Sequence, residues 1–248
     1  MSHIITSPLL QNIEHIEHAF FTKQIPGSSN KYLLKDDTNP EEVMHNRALV
    51  AAGRQLCLLR QIHSNKALLV DKPYELGSEA AADAMVTTIP GLMLGIVTAD
   101  CAPILLVDKV HRIIGAAHAG WRGARADILA NTILLMEQQG SKRSDIIAVI
   151  GPTIQQNFYE IGPEFHQDFL DEDAGNNIFF KSSPKVGHFM FDLPSYVSHK
   201  LQNAGITTID DIHHDTYSDP DNFVSYRRAT LEGKPYISNQ LSMITIKE

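Results

Sequence analysis

The chain has 248 residues, 43% of them hydrophobic and 20% charged, with 15 Gly and 12 Pro; this is the composition of ordinary globular proteins and excludes disordered, collagen-like and disulfide-stapled classes. A chain of this length buries roughly three quarters of its unfolded surface, so a metal bound here serves function rather than holding the core together. Against 21 Lys and Arg stand 29 Asp and Glu, a formal charge of -8, which repels a phosphate backbone and excludes nucleic acid as a partner.

No repeat, low-complexity tract or Gly/Ser/Pro-rich linker divides the sequence, so one domain over residues 1–248 is expected. The N-terminal residues Met1–Thr6 lack the basic patch and apolar run of a secretory leader. Only two cysteines occur, Cys57 and Cys101, which fits a reducing, cytoplasmic setting with both thiols free. The segment Ala84–Val107 has the length of a membrane span, but Asp100 interrupts it and Pro90, Gly91 and Pro103 break its backbone pattern. It reads as buried strands, and no membrane partner is expected.

In chain order, a short strand is expected around Phe20–Thr22 and a polar surface loop over Gln24–Asn39. The stretch from Asn39-Pro40 reads as a helix with Val43, Ala48, Leu49 and Ala52 on one side, stopping at Gly53. Short apolar, partly β-branched runs at 67–70, 95–98, 104–107 and 113–117 read as buried strands. Between Arg122 and Gly140, Ile128, Leu129, Ile133, Leu135 and Met136 recur near helical spacing. A strand at 145–150, helices at 163–170 and 194–204, and strands near 207–209 and the C-terminus complete the pattern. Strands and helices mix without a βαβ rhythm, which favours an α+β sheet sandwich flanked by helices over a doubly wound parallel sheet.

Three potential metal ligands sit at the edges of apolar strands: His63, Cys101 and His118. Two imidazoles and a thiolate form a borderline-soft set that suits zinc, with copper second, and three protein ligands leave a fourth position for substrate. The spacings, 38 residues from His63 to Cys101 and 17 from Cys101 to His118, match no short metal motif, and each residue taken singly reads equally as local packing. Cys57 reads as packing. The pairs His15/His18 and His213/His214 read as solvated surface.

The turn His118-Ala119-Gly120-Trp121-Arg122-Gly123 joins a strand to a helix, and Arg122 there offers a bidentate donor to an anion, or pairs with a nearby acid. Arg227 and Arg228, beside Tyr226, read as an anion or ring site or as a solvated basic patch. Asp83, with no charged residue within three positions, is a candidate for proton transfer or for orienting a metal ligand, or for capping a turn. Asp100 and Glu160 are further candidate carboxylates.

Taken together, Phe20-Phe21-Thr22, Asn46-Arg47, Gln61-Ile62-His63, Asp83–Thr87, Thr98-Ala99-Asp100-Cys101-Ala102-Pro103, His118–Gly123, Gly151-Pro152 with Tyr159-Glu160, and Ser225-Tyr226-Arg227-Arg228 resemble the YfiH family, also called the laccase-domain or multicopper polyphenol oxidase-like family. The resemblance implies a four-layer α/β/β/α sandwich with mixed sheets and places His63, Cys101 and His118 at the family's zinc positions. It implies purine nucleoside phosphorolysis of adenosine, inosine, guanosine and methylthioadenosine, with adenosine deaminase activity, the nucleoside and phosphate being the partners. Polyphenol oxidation with copper and correction of peptidoglycan precursors are also credited to the family, and a cysteine hydrolase with Cys101 as nucleophile is a further alternative. Under the leading reading, Cys101, His118 and Asp83 carry the chemistry, and Lys23, Arg122, Arg227 and Arg228 position substrate. The chain departs from the family pattern at Thr22-Lys23-Gln24-Ile25-Pro26-Gly27-Ser28, at Gly151-Pro152-Thr153-Ile154-Gln155 and at Asp215-Thr216. Lys23 keeps a positive charge there without the planar fork of arginine.

Overall fold

The computed structural model describes residues 4–23, 40–235 and 238–248. The loop expected over Gln24–Asn39 lies outside these residues. The chain begins with β1 (Ile4–Ile5), α1 (Pro8–Gln11), β2 (Ile16–Phe21), α2 (Pro40–Ala51), β3 (Gln55–Cys57) and β4 (Ala67–Leu69). Four well-buried strands follow: β5 (Ala84–Thr87), β6 (Leu92–Thr98), β7 (Ala102–Asp108) and β8 (Ile113–Ala119). Next come α3 (Trp121–Arg125), α4 (Ile128–Gln138), β9 (Ile146–Ile150), β10 (Glu160–Ile161), α5 (Pro163–Glu172), β11 (Phe180–Ser182) and β12 (Phe189–Phe191). The chain closes with α6 (Leu193–Asn203), β13 (Thr208–Asp211), α7 (Tyr226–Leu231) and β14 (Gln240–Ile246).

The strands form a five-stranded sheet, β1-β2-β14-β6-β3, a six-stranded sheet, β13-β9-β7-β8-β5-β4, and a small sheet, β10-β12-β11. Both large sheets mix parallel and antiparallel pairs. Side-chain alternation along each strand divides the core into layers. One face of the six-stranded sheet, with Ile104, Leu106 and Ala117, packs under α4, α5 and α6 through Ile133, Phe169 and Val197. Its other face, with Leu105, Val107 and Ile114, meets Phe20, Leu94 and Ile244 of the five-stranded sheet. The outer face of that second sheet, with Phe21, Met93 and Met243, is covered by Val50 of α2. The result is the expected α+β, four-layer α/β/β/α arrangement with mixed sheets.

Two sequence expectations are corrected here. The stretch 122–140 is two helices, because Asp127 adopts a left-handed backbone with φ of 67° between α3 and α4, a conformation that aspartate tolerates better than most side chains. His18 is not solvated: it lies in β2, buried, and its Nε2 accepts from the Ser7 amide at 2.8 Å. Burial holds its imidazole down at about 4, hence neutral. Ser7 in turn donates through Oγ to Asp210 of β13 at 2.6 Å, tying the edge of one sheet to the other.

At Gly151, just past β9, the backbone lies against Phe20 of the five-stranded sheet. A Cβ there would fall on the Cε1 and Cδ1 edge of the Phe20 ring and 2.9 Å from Pro103 Cγ. We expect Gly151→Ala to overpack this contact and lower stability by roughly 1–3 kcal/mol, read as a lower urea midpoint at unchanged slope.

Candidate metal centre

Strand pairing brings the site together. In the β7–β8 register Pro103 faces His118 and Ala102 faces Ala119, so Cys101, one residue before β7, lies beside the end of β8. In the β5–β8 register Ala84 faces Ala117, which sets Asp83 next to His118; the His118 amide donates to the Asp83 carbonyl at 2.7 Å. His63 reaches the same place from the loop after β3, with a left-handed φ of 59°.

Asp83 is fully buried and its carboxylate holds that loop in place. It accepts from the amides of Ile62 (3.1 Å), His63 (2.9 Å) and Ser64 (2.6 Å), and from Ser64 Oγ (2.7 Å). It also bonds His118 Nδ1 at 2.9 Å. Burial alone would raise the Asp83 carboxyl, but the donors from His118 and Ser64 bring it down to about 2. With Nδ1 engaged, the Nε2 atom of His118 is left to the site. Asp83 stands behind His118 and does not line the cleft described below.

One donor atom from each of His63, Cys101 and His118 lies within 4.8 Å of the others, and His63 Nε2 is 3.9 Å from Cys101 Sγ. The two imidazoles meet edge to face, with ring centroids 4.7 Å apart. Burial would raise the Cys101 thiol, yet His118 and His63 bring it down to about 6, close to the thiolate form that ligates metals. Burial would lower His118, but Cys101 and Asp83 carry it up to about 9. Gly120 leaves the space these groups occupy: a Cβ there would sit 2.8 Å from Cys101 Sγ and 3.1 Å from His63 Cδ2. Donor chemistry, spacing and this relief at Gly120 fit a borderline-soft metal ion.

His63 and Cys101 of the trio open onto a cleft of about 270 Å³, lined also by Trp121, Arg122, Tyr159, Tyr226 and Arg227, among others. The Arg122 guanidinium lies over the Trp121 ring at 4.3 Å and that of Arg227 over Tyr159 at 5.3 Å. Among the described residues neither guanidinium forms an ion pair with a carboxylate, and both line the cleft. Burial, with Cys101 nearby, pushes the Tyr159 hydroxyl up from its ordinary value.

Asp100 fixes the far wall. Its φ of 85° costs roughly 1–3 kcal/mol for a non-glycine residue, and the surroundings over-determine it. Its carboxylate accepts from Thr216 Oγ1 (2.6 Å), Ser225 Oγ (2.9 Å) and the Arg227 amide (2.7 Å), while its carbonyl accepts from Thr153 Oγ1 and the Ile154 amide. Ser225 also caps α7, accepting from the Arg228 amide at 3.1 Å.

Two residues expected to bind substrate lie elsewhere. Arg228 turns away from the cleft and donates to the carbonyls of Thr216, Tyr217 and Phe223, because neighbours on a helix point about 100° apart. Lys23 donates its ammonium to the Pro220 carbonyl and does not line the cleft. Glu160 accepts from Ser183. Tyr159, Ser64 and the space at Gly120 were not readable as site components, since each acts through a neighbour distant in sequence.

The family described as multi-copper polyphenol oxidoreductase laccase matches residues 17–247. A purine nucleoside phosphorylase of Rickettsia conorii is 37% identical over 236 residues, spanning 94% of this chain and 97% of the relative. The purine nucleoside phosphorylase YfiH of Escherichia coli is 32% identical over 202 residues, 79% of each chain. A crystal structure of a Neisseria meningitidis protein superposes with a TM-score of 0.83 at 27% identity over the whole of both chains. That of Bacillus licheniformis YfiH, at 24% identity and a TM-score of 0.84 over 96% of this chain and 95% of its own, shares the fold. The chain belongs to the laccase-like multi-copper polyphenol oxidoreductase family, whose YfiH-named members are its relatives.

Proposed function

We propose that the chain is a zinc-dependent purine nucleoside phosphorylase acting on adenosine, inosine, guanosine and methylthioadenosine, with adenosine deamination as a side activity. In this reading residues 1–248 work as one domain in the cytoplasm. The observation that carries it is the convergence of His63, Cys101 and His118 beside a cleft that also presents Arg122 and Arg227. The Rickettsia conorii and Escherichia coli relatives, named as purine nucleoside phosphorylases, support the substrate class.

In phosphorolysis a phosphate oxygen forms a bond to the ribose C1′ as the bond from C1′ to purine N9 breaks, and the phosphate proton ends on the base. Arg122 and Arg227 are assigned to holding the anion in line. Trp121 and Tyr226 offer aromatic faces to the purine ring. Zinc, with copper second, would be held by His63, Cys101 and His118, and when bound supplies the Lewis-acid polarisation that deamination calls for. Asp83 is a positioning residue: its hydrogen bonds fix the tautomer of His118 and the loop of His63. Its saturated carboxylate argues against the proton-transfer role.

The acidic Cys101 thiol beside His63 favours one competing reading, a cysteine hydrolase with Cys101 as nucleophile. Multi-copper oxidation calls for several copper centres, and among the described residues one three-donor group is assembled.

Chromatography of adenosine incubated with the zinc-loaded protein tests the reading. Adenine that appears only with phosphate and is lost in Cys101→Ser supports it, and inosine in either buffer reports deamination. Turnover that persists after complete chelation would instead support the hydrolase. For Asp83→Asn we expect a roughly 10- to 100-fold loss of metal affinity, measured by competition with a chromophoric chelator; unchanged affinity would remove the positioning role. Gly120→Ala should reduce the metal retained after gel filtration, as read by elemental analysis, because the added methyl displaces Cys101 and His63.

A further inference from the structure

Tyr159 occupies a position where packing asks only for a phenyl ring. Its ring meets Phe191 at 5.7 Å and Phe165 at 6.5 Å between centroids, and supports the Arg227 guanidinium at 5.3 Å. None of these contacts uses the hydroxyl. Among the described residues the hydroxyl has no hydrogen-bond partner, and Tyr159 is only partly buried. The side chain lines the cleft, and the charged groups that act on its hydroxyl are Cys101, Arg227, Asp100 and Arg122, all cleft-lining residues.

The surroundings narrow what the hydroxyl can meet. The Asp100 carboxylate already accepts from Thr216, Ser225 and the Arg227 amide, which hold it in the wall of the cleft. Of the other charged groups, Cys101 is engaged by His118 and His63, and the two guanidiniums are donors only. A third donor beside two cations matches an oxyanion with several acceptor oxygens rather than the edge of a purine, which presents donors as well as acceptors. We propose that the Tyr159 hydroxyl donates a hydrogen bond to a phosphate oxygen and completes, with Arg122 and Arg227, a three-donor site for the anionic co-substrate. This inference rests on the phosphorolysis reading above. Tyr159 thereby has two separable parts: the ring steadies Arg227, and the hydroxyl touches the anion.

The test compares the zinc-loaded wild type with Tyr159→Phe, which keeps the ring and deletes one oxygen. Three quantities are measured: thermal midpoint and metal content, steady-state phosphorolysis of adenosine, and calorimetric binding of inorganic phosphate. A hydrogen bond to a charged acceptor predicts a roughly 10- to 100-fold rise in KM and Kd for phosphate, with midpoint, metal content and KM for adenosine unchanged. Unchanged phosphate constants overturn the proposal, as does a rise confined to adenosine, which would assign the hydroxyl to the nucleoside. If the wild type releases no adenine, the phosphorolysis reading fails and calorimetry still decides on Tyr159. Weaker phosphate binding by Tyr159→Phe then sustains the anion site, and equal affinity or no binding to the wild type rejects it.

Discussion

The Asp83 carboxylate is the constraint on which the site depends. One buried group takes hydrogen bonds from three successive amides, a serine hydroxyl and an imidazole. These donors belong to two segments that share no strand pairing with each other, the loop around His63 and the end of β8. Charge inside the protein is costly unless its lone pairs are engaged, and here the hydrogen bonds that offset that cost also hold the loop in which His63 has a φ of 59°. Cys101 needs no such device, because the β7–β8 register already sets it beside His118.

Fold and site therefore divide the work by type of force. Alternating strands bury three apolar layers, one between the sheets, one beneath α4, α5 and α6 and one beneath α2, and these layers set where strand ends emerge. The chemistry-bearing side chains sit at those ends, where the alternation stops and hydrogen bonds take over. Asp83 and Asp100 play matching parts on opposite sides of Cys101: the first aligns the imidazoles, the second anchors α7. Between them the cleft receives positive charge from Arg122 and Arg227.

Much of this was legible in the sequence where a periodic signal existed. The strands at 92–98, 102–108 and 113–119 announce themselves as apolar, β-branched runs, and α2, α5 and α6 through proline starts and apolar spacing. The three donors were visible as residues at strand edges, but their separations of 38 and 17 carry no motif, and it took strand register to bring them together. The small sheet of β10, β11 and β12 was hidden because strands of two or three residues are too short to alternate. The break at Asp127 was hidden because a single left-handed residue leaves the apolar spacing of α4 intact. Arg227 and Arg228 are indistinguishable as neighbours in sequence; only the helix that begins at Tyr226 sends one into the cleft and the other onto three carbonyls.

That short helix also went unread for a reason that bears on how the protein can change. No residue of α7 is buried; the wall it forms hangs from Asp100, Ser225 and Arg228 by polar bonds that involve the backbone as much as side chains. The outward positions Tyr226, Thr230 and Leu231 face the cleft without holding the core. Sequence drift at these three positions is thus free of the packing penalties that constrain the strands. A lineage carrying this fold can reshape the mouth of its cleft, and with it the range of molecules admitted, while the metal-ligand geometry and the sandwich beneath stay as they are.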